Sequence, residues 1–87
     1  MHTEAREELI DRYYDAVDAE SYERMLSAFS ETVEYRYPGE AVMNGHAEVL
    51  EFFTERRATN GTTHDVFRQV HDEDATLCEG TITGKIG

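Results

Sequence analysis

The sequence predicts an α+β domain, with helices packed against one face of a mostly antiparallel sheet. Three observations predict it. Apolar residues recur at helical spacing between residues 9 and 29 and again near residue 50. The segment "VEYRY", residues 33 to 37, alternates apolar and charged side chains in the manner of a strand. Near the C-terminus two β-rich runs, "HDVFRQVH" and "ATLCEGTITG", flank the short acidic turn "DED" and read as a hairpin. With 87 residues there is room for one domain, taken as residues 1–87.

The elements follow in order. Residues 3 to 18 read as a helix capped by Thr3, with Glu4, Glu7 and Glu8 at the positive end of its dipole. Leu9, Ile10, Tyr13, Tyr14, Ala16 and Val17 form its apolar face. Ser21 is positioned to cap a second, shorter helix on which Tyr22, Met25, Leu26 and Phe29 recur. The strand at 33–37 then places Val33, Tyr35 and Tyr37 on one face. Pro38-Gly39 turns the chain, and Ala41-Val42-Met43 reads as a short strand. Asn44-Gly45 opens a third helix, residues 46 to 57, with Val49, Leu50 and Phe53 inward and Arg56 and Arg57 at its negative end. "ATNGTT", from residue 58, reads as a turn before the hairpin. In the hairpin's first run His64, Val66, Arg68 and Val70 share a face, and Gly80 weakens the second.

Composition narrows the function. There are 19 acids against 8 bases, a formal net charge of −11, which excludes nucleic acid and anionic membranes as partners. Glu4, Glu8, Asp11, Asp15 and Asp18 line one stripe of the first helix. Such a stripe repels itself in dilute salt and is screened over about 3 Å at 1 M. It reads either as the surface of a salt-loving organism's protein or as an ordinary acidic helix face. No run reaches membrane-span length and no signal-peptide pattern opens the chain, so a cytoplasmic location is expected. Cys78 is the single cysteine, with no basic neighbour in sequence to activate it. His64 and His71 are an odd number of residues apart and face opposite ways on a regular strand, so no metal site is expected unless a bulge intervenes. No glycine-rich phosphate loop is present, and no cofactor is expected.

Taken together, "RYYDAVDAESYERMLSAFSETVEYRYPG", "NGHAEVLEFF" and the hairpin resemble the ketosteroid-isomerase-like group, including the SnoaL-like polyketide cyclases, of the nuclear transport factor 2-like superfamily. The resemblance implies a cone: a curved sheet around the helices, enclosing an apolar pocket. It also implies two further C-terminal strands that the sequence ending in "TITGKIG" does not supply, and a sheet face often used to form homodimers. By the same resemblance Tyr13 stands where the isomerases carry their oxyanion-donating tyrosine. Their proton-shuttling aspartate, just before a proline, is replaced by Tyr37, and their third acid lies on a strand not reached. The resemblance therefore does not extend to steroid isomerisation.

The expected ligand is a small apolar, carbonyl-bearing molecule. Tyr13 would donate to its oxyanion, Tyr37 would position it, and His64 is the candidate proton acceptor. Tyr35, Tyr14, Phe29, Phe53, Val66 and Arg68 would line the pocket. Arg68 needs a carboxylate, from Glu79 or from an acidic ligand, if it faces inward; alternatively His64 and Arg68 belong to a wetted outer face. The rival function is a non-catalytic interaction module that dimerises through the sheet face and its open edge.

Overall fold

The computed structural model describes the backbone of residues 3–57 and 59–86, and the side chains of residues 4–57 and 61–85. The architecture is α+β, in the predicted order: α1 (Thr3–Asp18), α2 (Tyr22–Leu26), β1 (Glu34–Tyr35), β2 (Met43–Asn44), α3 (Gly45–Glu51), β3 (Thr59–His71) and β4 (Thr76–Ile86). Among the described residues the strands form two separate antiparallel pairs, β1 with β2 and β3 with β4, rather than one continuous sheet.

Helix α1 has the predicted bounds. The capping role of Thr3 falls on a side chain outside the described residues. Its C-terminus closes in a Schellman arrangement: the Ser21 N–H donates to the Ala16 carbonyl at 2.9 Å and the Glu20 N–H to that of Val17 at 3.0 Å. Glu20 takes the left-handed position, φ 56°, that glycine normally occupies. Ser21 is thereby spent on ending α1, and its side chain makes no cap to α2. Helix α2 is correspondingly brief, and buries Met25.

The predicted strand at 33–37 is paired only at Glu34 and Tyr35, with Asn44 and Met43 opposite. The short strand falls on Met43–Asn44 rather than 41–43, since Asn44 must face Glu34 before Gly45, at φ 82°, turns into α3. The third helix does not run evenly to residue 57. It widens into a π-turn over Phe52–Arg56. Phe52 and Phe53 both point into the core, with Val49 one turn earlier, whereas Leu50, expected inward, is exposed. The spacing of three and four from Val49 selects the phenylalanines, and Leu50 lies off that stripe. The core joins Ala16 and Val17 of α1, Met25, Met43, Val49, Phe52 and Phe53.

The hairpin is longer than predicted. "ATNGTT" is not a free turn: β3 begins at Thr59, and Gly61, at φ 57°, sits in a bulge between Asn60 and Thr63. A second bulge lies between Val66, opposite Gly80, and Arg68, opposite Glu79, leaving Phe67 as the extra residue. This bulge reverses the alternation, so His64 and Val66 are half-buried before it, and Gln69 and His71 after it. Arg68 and Val70 turn outward, which corrects the expectation of one shared face from His64 to Val70. Gly80 is what allows the crossing. A Cβ there would sit 2.2 Å from the Asp65 carbonyl oxygen and 2.9 Å from the Val66 Cα.

The turn joining β3 to β4 is held by the Asp72 carboxylate, which accepts from the N–H groups of Asp74 (2.9 Å) and Ala75 (2.7 Å). Arg6 of α1 grips the same turn by donating to the carbonyls of Asp72, Glu73 and Ala75. Gly80→Ala should lower unfolding stability by about 1–3 kcal/mol, because backbone atoms must shift to admit the methyl group. Glu20→Gly should raise it by up to ~1 kcal/mol by relieving the left-handed strain. Urea unfolding of both variants checks this pair of opposite signs.

Candidate functional site

The site is built where α1 passes between the two strand pairs. Tyr13 and Tyr14, adjacent on α1, meet edge to face with centroids 4.9 Å apart. The Tyr13 hydroxyl lies 3.1 Å from that of Tyr35 on β1. One hydroxyl donates to the other, so the pair retains one proton to offer a third group. On the other side the Tyr14 ring lies 4.7 Å from the imidazole of His64 on β3. A row of rings, Tyr35, Tyr13, Tyr14 and His64, therefore connects β1 to β3 across the helix.

His64 is fixed by Asp18, the last residue of α1. One carboxylate oxygen lies 2.5 Å from His64 Nδ1 and accepts from the Thr62 hydroxyl at 3.0 Å. The other accepts from the His64 backbone N–H at 2.7 Å. Thr62 and His64 share a strand face, so both reach the same carboxylate. An ionised carboxylate only accepts, which makes Nδ1 the donor; in the neutral form of the ring the lone pair is then on Nε2. Burial opposes ionisation of Asp18, but these donors outweigh it and hold the carboxyl below its ordinary value. Asp18 thus leaves the acidic stripe to which its spacing assigned it, whereas Glu4, Glu8, Asp11 and Asp15 are exposed.

A cavity of about 180 Å³ opens at this row, lined by Tyr13, Tyr14, Val17, Tyr35, Tyr37, Phe53, Arg57, His64 and Ile82. Burial pushes the Tyr13 phenol far above its ordinary value, and the neighbouring Tyr35 adds to the shift. Burial also raises Tyr35, although its hydrogen bond with Tyr13 works the other way. Both phenols are therefore donors at neutral pH, not bases. A larger cavity, about 450 Å³, lies beyond the Tyr13–Tyr14 wall and is mostly apolar, with Leu9, Ile10, Phe29 and Cys78 among its lining. Its one arginine, Arg6, is committed to the hairpin turn. The smaller cavity is where polar chemistry converges, and it is the candidate site on that ground.

The structure brings together Tyr13, Tyr14, Tyr35, Tyr37, Phe53 and His64. Tyr37 lies beyond the paired part of β1, at the rim, with its ring centroid 4.8 Å from that of Phe52. Phe29 lines the larger cavity, and Val66 a third one beside His64 and Cys78. Arg68 is not brought in: it lies on the outer face, 65% exposed, 3.3 Å from Glu79. The outer-face alternative thus holds for Arg68 and fails for His64, because the bulge at Phe67 separates their orientations. The same bulge turns His71 to the inner side, where Nδ1 lies 2.8 Å from the Thr76 hydroxyl. Among the described residues no group of three His, Cys, Asp or Glu side chains is placed to hold a metal. Burial, with Asp11 nearby, pushes the Cys78 thiol up, which does not suit a nucleophile.

Two site residues escaped sequence reasoning. Asp18 contacts residues 44 and 46 positions away, and its signal was masked by the acidic stripe. Arg57 looked like a helix-end cation. The π-turn that carries it into the cavity has no clear local signature.

Comparison with known proteins agrees with this architecture. Residues 10–87 match the family model described as SnoaL-like domain. The chain belongs to the SnoaL-like domain family. A solved M. tuberculosis LEH-like epoxide hydrolase superposes on the SnoaL-like domain with a TM-score of 0.73, over 92% of this chain and 60% of that one, at 17% identity. That likeness speaks for the fold, which is the nuclear transport factor 2-like type, and the SnoaL-like domain spans 60% of that protein's length. No curated protein matches the chain. No helix among the described residues is long and apolar enough to cross a membrane.

The Asp18 junction has a pH signature. Its carboxyl titrates lower folded than unfolded, so its contribution to stability is fully present above the unfolded value near ~3.9 and is lost as pH falls through the folded value. Asp18→Asn should therefore destabilise the domain most at pH values above the unfolded carboxyl value, with the gap to the parent closing as pH falls below it and through the folded value. Melting curves across that range check it. The turn carboxylate Asp72, also held low by its backbone donors, is common to both proteins and cancels in the difference.

Proposed function

We propose that the SnoaL-like domain binds a small apolar, carbonyl-bearing molecule and moves a proton on it, in the manner of an isomerase or cyclase. The observation that carries this reading is the convergence of the Tyr13–Tyr35 hydroxyl pair and the Asp18-held imidazole of His64 on one cavity. In this scheme His64 Nε2 takes a proton from the carbon next to the carbonyl. The carbonyl oxygen becomes an enolate oxygen and receives the proton-donating end of the hydroxyl pair. Asp18 stabilises the imidazolium formed, and His64 returns the proton to the same or a conjugated carbon. Tyr37 positions the ligand at the rim, with Tyr14 and Phe53 as walls. The scheme uses no metal and no cofactor. We read the exposed part of the α1 acidic stripe as suited to a cytoplasm of high salt.

A second reading is favoured by one observation. The outer face of the hairpin exposes the cross-strand pair Val70 and Leu77, 50% and 67% exposed, with Phe67 at the bulge 62% exposed. An apolar sheet face of this kind suits a homodimer or another interaction module.

The test is exchange of the α-protons of a small cyclic ketone in heavy water, followed by NMR in concentrated KCl. The parent should exceed the buffer rate, and Tyr13→Phe and His64→Gln should each cut that excess by about 100-fold or more. An excess that survives both substitutions contradicts the assignment. No excess in the parent, with a concentration-dependent dimer by sedimentation, favours the second reading.

A further inference from the structure

We propose that the cavity at Tyr13 and His64 is an anion site, whose ligand is a ring-sized carboxylate anchored on Arg57. The inference rests on the reading that this cavity is where the SnoaL-like domain binds its ligand, and it replaces that reading's uncharged ligand with one that carries a carboxylate.

Arg57 follows the π-turn directly and lines the cavity with both hydroxyl-paired tyrosines and His64. Its guanidinium carbon stands 5.0 Å from the Phe53 ring centroid. Its Nε is buried and has no hydrogen-bond partner. The other arginines are accounted for differently. Arg6 holds three carbonyls; Arg36, Arg56 and Arg68 face Glu34, Glu40 and Glu79; Arg12 and Arg24 are exposed. Among the described residues Arg57 is the partly buried arginine that has an unpartnered buried Nε and no ion pair with a carboxylate.

That lack runs against composition. In a chain with 19 acids and 8 bases, a carboxylate partner is the easiest thing to supply. A cation withdrawn from water costs free energy unless something compensates it. The Phe53 face compensates in part. The groups closest to the cavity cannot complete the job, because the Tyr13 and Tyr35 phenols are kept protonated by burial and Asp18 is already taken by Thr62 and His64. The hydroxyl pair presents its one free O–H to the cavity, and Asp18 presents no donor. Guanidinium and phenol together form the donor set that a carboxylate accepts from, with two parallel N–H bonds from a planar fork and one O–H bond beside them.

Size limits the ligand further. A cavity of ~150 Å³ holds benzene, and this one is about 180 Å³. The fit is a ring-sized acid, or a compact keto or unsaturated acid of similar bulk. Anchoring the carboxylate on Arg57 leaves the remainder of such a molecule against the Tyr13–Tyr35 pair and His64.

The experiment is a titration of benzoate against its neutral isostere benzamide, read by calorimetry and by melting temperature at matched, high KCl. Matched salt removes the general effect of ionic strength on an acidic protein. Benzoate should bind saturably and benzamide at least about tenfold more weakly, as expected for losing charge-assisted hydrogen bonds. Arg57→Gln should lose benzoate by a similar factor, and Arg57→Lys should retain part of it, which separates lost charge from lost fold. Equal binding of benzamide, or full benzoate affinity in Arg57→Gln, overturns the anion inference and leaves the cavity reading intact. Failure of benzoate while neutral ketones bind does the same. Failure of benzoate, benzamide and ketones alike overturns both.

Discussion

The Asp18 carboxylate is the junction on which the arrangement depends. It ends α1 and collects three hydrogen bonds from β3, through the Thr62 hydroxyl, the His64 N–H and the His64 ring. At the other end of the helix Arg6 holds the hairpin turn. The helix is thus pinned to the hairpin at both ends, across a rise of about 18 Å between the two anchors. Neither anchor is apolar. The hydrophobic core lies elsewhere, between α1, α2, β2 and α3 with its π-turn. The hairpin is therefore attached largely by directional bonds, and these fix what a greasy contact would leave free to slide. Helix α1 and β3 take one relative position, and the ring row from Tyr35 to His64 follows from it.

Three local irregularities serve that position. The bulge at Phe67, admitted by Gly80, turns Gln69 and His71 toward α1 while keeping His64 and Val66 on the same side. Without it one half of β3 would present its outer residues to the helix. The Schellman closure at Glu20 stops α1 directly after Asp18, so the carboxylate sits at the helix end and not partway along an exposed face. The π-turn sets both Phe52 and Phe53 into the core and delivers Arg57 to the cavity wall. Each costs regular hydrogen bonding or backbone strain, and each positions a group of the candidate site.

Much of the fold was legible because it is written locally. The period of Leu9, Tyr13 and Val17 gives α1, and the paired β-rich runs around Asp72–Asp74 give the hairpin. Tyr13, Tyr35 and His64 could be singled out because chemistry-bearing side chains on inward faces stand out against apolar neighbours. The rest was hidden for physical reasons. A bulge shifts alternation by one residue without changing composition, so Arg68 looked like a partner of His64. Asp18 matched a surface period and showed its role only through contacts far along the chain. "ATNGTT" has turn composition, and its glycine is spent inside a strand. Leu50 adjoins Val49 and lies three residues before Phe53, so it reads as inward until the register Val49, Phe52, Phe53 is seen to face the core.

The most direct test of the account is the tautomer of His64, read by long-range proton–nitrogen NMR of the imidazole at a pH where the ring is neutral. Asp18 accepting from the ring predicts a proton on Nδ1 and a bare Nε2, with the Nδ1 proton signal shifted by the short bond. That pattern should vanish or invert in Asp18→Asn. A neutral His64 with its proton on Nε2 in the parent protein would contradict the account: the nitrogen meant to accept a proton would already carry one, and Asp18 would not be orienting the ring.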